Sequence, residues 1–451
     1  MPPNGERNND MTSDARNPSF LKSKLFWAIV SVPVIALSAL VGVWFFGQST
    51  LEGQLAALRA QGLPTTASEL NDFYAVPEGT ADTTVLWTQA IDAVQFAGIY
   101  ARGKTLPIVG DVRTPVPAPG EPWAELEAAR TLLRKLDAEL QIIRKAAVAE
   151  GNVRFPIDFS AGIATLLPHT QESRDVARLL LLDAHVSAHD GNDSQALDDV
   201  KAIFALSDAL RTEPLLISQL VRMANYAIGC DAVERLMPYC NWSDAELESL
   251  QTVIRAAKFK QELSNGLCGE RAICLTALDQ HAFGPLRFMN KQEALRLYAS
   301  TIDSLSSPWP EALRRHREIG AQINANRSSA FGRLALTAVS LLLPATEQVA
   351  IAGARADARQ KCLIAAIAAQ RFRLRHGRLP ETLADIGQEL LGASEEPLDL
   401  IDPFDGHPLR FKSEESRIII YSIGDNEQDD GGDFDRDSQQ RPPDVGFSVK
   451  K

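Results

Sequence analysis

The sequence predicts a mainly α protein with an N-terminal transmembrane helix, a helical bundle-like extracytoplasmic domain and a small C-terminal α+β module, a helix followed by an antiparallel sheet. Three observations lead there. Residues 25–47 form one uncharged apolar run. Through the middle of the chain, apolar residues recur at steps of three and four, the period of a helix with one buried face. Beyond Gly377 the pattern changes to short apolar or β-branched runs bounded by Gly, Pro, Asp and Ser, the signature of strands and tight turns.

The run LFWAIVSVPVIALSALVGVWFFG carries no charge. At about 1.5 Å per residue, a helix of this length crosses a hydrocarbon core of roughly 30 Å. Pro33 is tolerable in a membrane helix, and Trp27 and Trp44 lie near its two ends, where amphipathic rings favour the interface. Arg16, Lys22 and Lys24 precede the run, whereas residues 48–58 contain no Lys or Arg. The positive-inside rule therefore places the N-terminus in the cytoplasm and the bulk outside, in a bacterial periplasm or its equivalent. A cleaved signal peptide is the competing expectation. Its apolar region is normally about 7–15 residues, shorter than this one.

The remaining organisation follows from composition. Residues 1–20 are polar and read as a disordered cytoplasmic stub, and 21–50 as the anchor. A helical domain is expected over 51–346, interrupted by a Pro-rich linker at 106–122. With 45% hydrophobic residues the chain can bury a sizeable core. Its net charge of −12 argues against an extended nucleic-acid footprint, so no nucleic-acid partner is expected. A single helix is expected over 123–150, with Leu126, Ala129, Leu133, Leu136, Leu140, Ile143 and Ala147 on one stripe. The stretch from Ala177 to Phe204 has the small residues and Gly-containing turn of one tetratricopeptide-like hairpin, without a second copy. Residues 334–343 read as a buried core helix, too short to span a bilayer. The five cysteines lack the paired spacings of a zinc site; Cys230–Cys240 and Cys268–Cys274 bridges or buried free thiols all remain open.

Residues 347–451 form the last segment. A helix is expected from about 347 to 376, capped at Gly377, with strands near 409–412, 417–423 and 445–449. Within it, Ala369-Gln370-Arg371-Phe372-Arg373-Leu374-Arg375-His376-Gly377-Arg378-Leu379-Pro380 ends the helix, and Asp402-Pro403-Phe404-Asp405-Gly406 and Leu409-Arg410-Phe411 follow. Then come Tyr421-Ser422-Ile423-Gly424, the acidic loop Asp429-Asp430-Gly431-Gly432, and Asp444-Val445. In this order the motifs resemble the globular part of the type II secretion major pseudopilin, over about the last fifth of the chain. The resemblance implies a calcium site in the loop after the Tyr-Ser-hydrophobic-Gly strand, with Asn426, Asp430 and Asp444 in the matching positions. Two departures separate the chain from that family: the apolar run lacks the Gly-hydrophobic processing point with its following Glu, and a large helical region lies between anchor and sheet.

The residues point to a cation independently. Asp425, Glu427, Asp429, Asp430, Asp433, Asp435 and Asp437 crowd into 13 residues with Arg436 the only basic side chain among them. Such density repels itself unless it is solvated or neutralised, and hard oxygen ligands on a Gly-containing loop suit calcium. The candidate metal ligands are therefore Asp425, Asn426, Asp430, Asp433, Asp435, Asp437 and Asp444, with a solvated acidic loop as the alternative. Ser438 and Pro442-Pro443 argue against a complete EF-hand.

Other motifs carry less. Gly98-Ile99-Tyr100-Ala101-Arg102-Gly103-Lys104-Thr105 fits a P-loop pattern, but a helix is expected before it and Pro107 follows, so no nucleotide is expected. His185 and His189 share a helix face without the Glu a zinc protease needs after the first His. No Gly-x-Ser-x-Gly elbow is present. No catalytic residue is assigned. The expected role is a membrane-anchored scaffold or interaction protein facing the cell envelope, with the lipid bilayer and an envelope protein as partners. The alternatives are an accessory component of a type II secretion or pilus-like machine and an enzyme whose site is assembled in space.

Overall fold

The computed structural model describes residues 24–280, 287–329, 346–387, 389, 399–434 and 442–450. The stub at 1–20 and the expected helix at 334–343 lie outside these residues. The chain divides into two compact units, 1–56 and 57–451. In the first, α1 (Lys24–Ala60) begins; it is a 37-residue helix containing Pro33 and all of 25–47. Among the described residues no helix is long and apolar enough to cross a membrane.

The second unit is mainly helical, with a small sheet near its end. After α2 (Ala67–Phe73), α3 (Thr84–Ala97) and the single turn α4 (Ile99–Arg102), the Pro-rich stretch leads to α5 (Leu126–Lys135) and α6 (Asp137–Ala147). The expected continuous helix over 123–150 is thus two helices. Leu136 leaves the helical region (φ −110°, ψ 18°), and its N–H is shared between the carbonyls of Leu132 and Leu133, which tightens the last turn of α5. The apolar stripe survives the break: Ala129, Leu133, Leu136, Leu140 and Ile143 are all buried. It packs inside the unit, α6 against α3 and against α8 (Asp193–Ala209), and α5 against α7 (Pro168–His189).

The tetratricopeptide-like hairpin is α7 (Pro168–His189) and α8 (Asp193–Ala209), which pack against each other, with Ala177, Ala184, Ala188 and Ala196 all buried. The turn lies at the Asp-Gly-Asn-Asp break, where the Asn192 side chain caps α8 by accepting from the Gln195 N–H at 3.3 Å. α9 (Leu216–Leu236) covers both helices, and α10 (Asp244–Arg255), α11 (Phe259–Gln280), α12 (Arg287–Ser304) and α13 (Trp309–Ser328) follow. Ser243 and Glu246 start α10 with a capping box. All five cysteines are buried free thiols, so neither disulfide is formed.

The central element is α14 (Thr346–His376). Every residue from 362 to 369 is at 0% exposure. A helix that is apolar all round must be covered all round. Here α9, α10, α11, α13 and the C-terminal sheet all pack against it. Gly377, with φ +72°, ends it in the left-handed conformation that glycine adopts without strain.

The sheet has the order β1 (Arg410–Ser413), β2 (Arg417–Ser422), β3 (Val445–Lys450), all antiparallel. Phe411 pairs with Ile420 and Ile420 with Phe447, so one register line carries three apolar side chains across the sheet. Ile418, Ile420, Phe447 and Val449 are at most 3% exposed. An isolated three-stranded sheet is marginal in water; here α14 supplies the missing packing partner.

Candidate functional site

The acidic loop joins β2 to β3, and a single buried carboxylate fixes where it starts. Asp402 is fully buried. Its Oδ1 accepts from the Phe404 N–H at 3.0 Å and the Ser422 hydroxyl at 2.7 Å. Its Oδ2 accepts from the Ile423 N–H at 2.9 Å and from Arg410 Nη1 at 3.1 Å. The Asp402-Pro403-Phe404-Asp405-Gly406 turn is thereby tied to the end of Tyr421-Ser422-Ile423-Gly424, two motifs twenty residues apart. A carboxylate removed from water needs such partners at each oxygen. Arg410 also holds Asp405, whose carboxyl burial alone would raise; the Arg410 and His407 hydrogen bonds keep it below the usual carboxylate range.

Gly424 turns the chain out of β2 at φ +70°, with the Pro443 carbonyl against its Cα. The loop beyond it does not gather its acids at one point. Asp425 forms an ion pair with Arg355 on α14, and Glu427 with Arg317 on α13. Asn426 donates from Nδ2 to Asp430 Oδ2 at 2.7 Å. Asp429 accepts from the Tyr421 hydroxyl at 2.9 Å and from the Gly431 N–H at 3.0 Å. Burial, then that hydrogen bond, pushes the Tyr421 phenol up to about 12.

Asp444 closes the loop from the far side and is 1% exposed. Its Oδ2 accepts from the Gly432 N–H at 2.8 Å and the Asp433 N–H at 3.1 Å, and its own N–H donates to the Asp433 carbonyl at 3.1 Å. Its Oδ1 is buried and has no hydrogen-bond partner among the described residues. Burial raises its carboxyl above the usual range, and the nearby Asp430 adds to the effect, although backbone N–H groups oppose it. Asp433 is exposed. Of the expected metal ligands, Asn426 and Asp430 are therefore adjacent, Asp444 binds the backbone at 432 and 433, and Asp425 is drawn toward α14. Asp435 and Asp437 lie outside the described residues. Among the described residues no three His, Cys, Asp or Glu side chains come together as a ready metal-ligand set. The chemistry left for the loop is that of hard oxygen donors, centred on the spare oxygen of Asp444 and the neighbouring Asp430.

The weaker motifs resolve structurally. The Gly98–Thr105 stretch follows α3 rather than a strand, and the turn it encloses holds no long helix with a free N-terminus. His185 is buried, its imidazole pushed down to about 3 by burial and by Arg235 and His189. His189 instead donates from Nε2 to the Pro117 carbonyl at 3.1 Å, its ring 5.2 Å from Trp123.

No family model, curated protein or solved structure matches this chain. Within the helices the polar side chains are mostly turned on one another. Arg144 serves both Asp183 and Asp199, two carboxyls that burial pushes up. Arg222 pairs with Glu262, and His169 donates to Glu213 at 2.7 Å. Asp402 and Arg371 stand in the sequence motifs without their partners, and Arg355 stands in none of them, because each acts on residues remote in the chain.

Proposed function

We propose that this protein is a membrane-anchored scaffold or interaction protein facing the cell envelope, which presents a calcium-binding, pseudopilin-like module on a helical support. Residues 25–47 would provide the anchor and Arg16, Lys22 and Lys24 the orientation. The observation that carries the reading is the placement of α14. It is the support for the sheet and a core helix of the helical layer at once, so the sheet and its acidic loop are held on a rigid base. Against the enzyme alternative, Arg144 with Asp183 and Asp199, Arg222 with Glu262, and His169 with Glu213 are paired with one another inside the helices. Calcium is supported by the crowding of acids in 425–437 and by the unpartnered Oδ1 of Asp444. A second reading, an accessory component of a type II secretion or pilus-like machine, is favoured by the way the pseudopilin-like motifs meet in one module through Asp402.

The calcium test is thermal unfolding of the full-length protein with calcium, with magnesium and with chelator. Residues 347–451 alone would strip α14 of its helical cover, so the whole chain is needed. Binding to the folded form adds about 2.7 kcal/mol at a hundredfold excess over Kd. Magnesium, which demands a tighter octahedron, should do less. Asp430→Ala and Asp444→Ala should each remove most of the calcium shift. Equal midpoints with calcium and with chelator would exclude the site. Topology is tested separately: protease added outside spheroplasts should digest residues 51–451, and their protection would reverse the assigned orientation.

A further inference from the structure

A cleft of about 310 Å³ lies where α9, α14 and the start of β3 meet. Each helix lends it a stripe at helical spacing: Leu220, Met223, Ala224 and Ala227 from α9, and Ala352, Arg355, Ala356 and Arg359 from α14. The four alanines leave the space, since larger side chains at those positions would fill it. The wall at Tyr226 is rigid: its hydroxyl donates to the Ile254 carbonyl at 3.0 Å, and its ring lies edge-on to Phe204 and Phe259, each with centroids 5.1 Å away.

The two arginines are not equivalent. Arg355 is held by Asp425 and donates from Nη2 to the Pro442 carbonyl at 3.1 Å. Arg359, one turn further along and half-buried, makes no hydrogen bond or ion pair among the described residues, in a unit where most half-buried arginines are paired. An arginine without a partner among the described residues, lining a cleft of alanines, Leu220, Met223 and Tyr226 beside the already paired Arg355, is a site for an anion that brings its own apolar surface.

We infer that this cleft binds a small aliphatic carboxylate, its head on Arg359 and its tail against the alanines and Tyr226. An engineered cavity of about 150 Å³ admits benzene, so 310 Å³ has room for a ligand roughly twice that size. Guanidinium matches carboxylate as a planar, two-pronged pair. The acidic loop borders the cleft through Pro442 and through Asp425, which holds Arg355, so the titrations are run with chelator present and are read without reference to the proposed calcium site or anchor.

The test uses full-length protein in amphipol, titrated calorimetrically with octanoate, 1-octanol and octyl phosphate. Octanoate should bind saturably, at least about tenfold more tightly than octanol. Arg359→Ala should weaken octanoate by about tenfold or more and leave octanol unchanged, and Arg359→Lys should restore part of the affinity. Ala356→Leu, which fills the cleft, should abolish both. Arg359→Gln replaces Arg359→Ala if circular dichroism shows that the alanine variant does not fold. Equal octanoate affinity in the wild type and the Arg359 variants would overturn the inference, as would octanol binding as tightly as octanoate. Octyl phosphate binding about tenfold more tightly than octanoate would overturn the assignment to a carboxylate.

Discussion

Removing the guanidinium of Arg371 tests the claim that α14 locks the sheet to the helical layer. Arg371 is 1% exposed. Its Nε donates to Asp244 Oδ1 at 2.8 Å, its Nη1 to Gln251 Oε1 at 2.6 Å and to the Glu389 carbonyl at 3.1 Å, and its Nη2 lies 3.2 Å from Glu248 Oε1. Burial alone would raise the Asp244 carboxyl, but hydrogen bonds from Arg371 and Arg375 hold it below its usual range. Breaking a buried ion pair from one side costs about 3–5 kcal/mol. Part of that is recovered here, because the Asp244 and Glu248 side chains are 32% and 36% exposed and can take up water. Gln251 is 2% exposed and cannot. Arg371→Ala should therefore destabilise by roughly 2–4 kcal/mol. Arg371→Lys should cost less, because one ammonium can serve some but not all of these acceptors. Arg314→Ala is the control: its guanidinium is 59% exposed and bonds only Glu311 and Glu318, so a loss of at most about 1 kcal/mol is expected. The assay is urea unfolding of the full-length protein in detergent, followed by circular dichroism at 222 nm. A single transition shifted to lower urea with unchanged slope is expected. Equal effects of Arg371→Ala and Arg314→Ala, or a separate early transition for the sheet, would refute the reasoning.

Gly424→Ala should destabilise by about 2–5 kcal/mol, combining a left-handed backbone at φ +70° with a Cβ that would lie 1.9 Å from the Pro443 carbonyl oxygen; thermal melts measure it, and a loss below about 1 kcal/mol would mean the turn relaxes freely. His185, pushed down to about 3, stays neutral in the folded state while the unfolded imidazole takes up a proton near 6.5. Its contribution is thus complete above pH 6.5 and is lost as pH falls toward 3, with a slope of up to about 1.4 kcal/mol per pH unit. His185→Leu should flatten the stability profile between pH 6 and 4, and an unchanged profile would count against the buried neutral imidazole. Asp183 and Asp199 work in the opposite sense: their carboxyls are raised, so their contribution falls as pH rises above the ordinary carboxylate range, and Asp199→Asn should reduce stability less at pH 8 than at pH 5. Lys104→Ala should leave stability within about 0.5 kcal/mol and confer no change in ATP retention, since the loop that carries it follows a helix; tight Lys104-dependent nucleotide binding would contradict this.

Elements with a local cause were legible in the sequence. The α7–α8 break follows from Asp190-Gly191-Asn192-Asp193, the end of α14 from Gly377, and β2 from Ile418, Ile419 and Ile420 followed by a turn. Each depends on residues within a few positions, through hydrogen bonds, backbone angles or a repeating apolar face. The run at 25–47 was equally plain as a helix. Leu136 was not: its stripe is the same on either side, and the break shows only in backbone angles. The acidic loop was legible as a charge cluster, but not as a set of separate partnerships. Asp425 pairs with Arg355, seventy residues earlier, and Asp402 reaches Ser422 and Ile423. Arg371 finds Asp244 127 residues before it. Charge patterning says that a carboxylate needs a partner, while the packing of α14 between helices and sheet decides which one it meets. Sequence spacing therefore determined where most of the helices and strands lie, and only the tertiary structure broke the helix at Leu136 and brought together the faces that pair the charges and leave Arg359 lining a cleft.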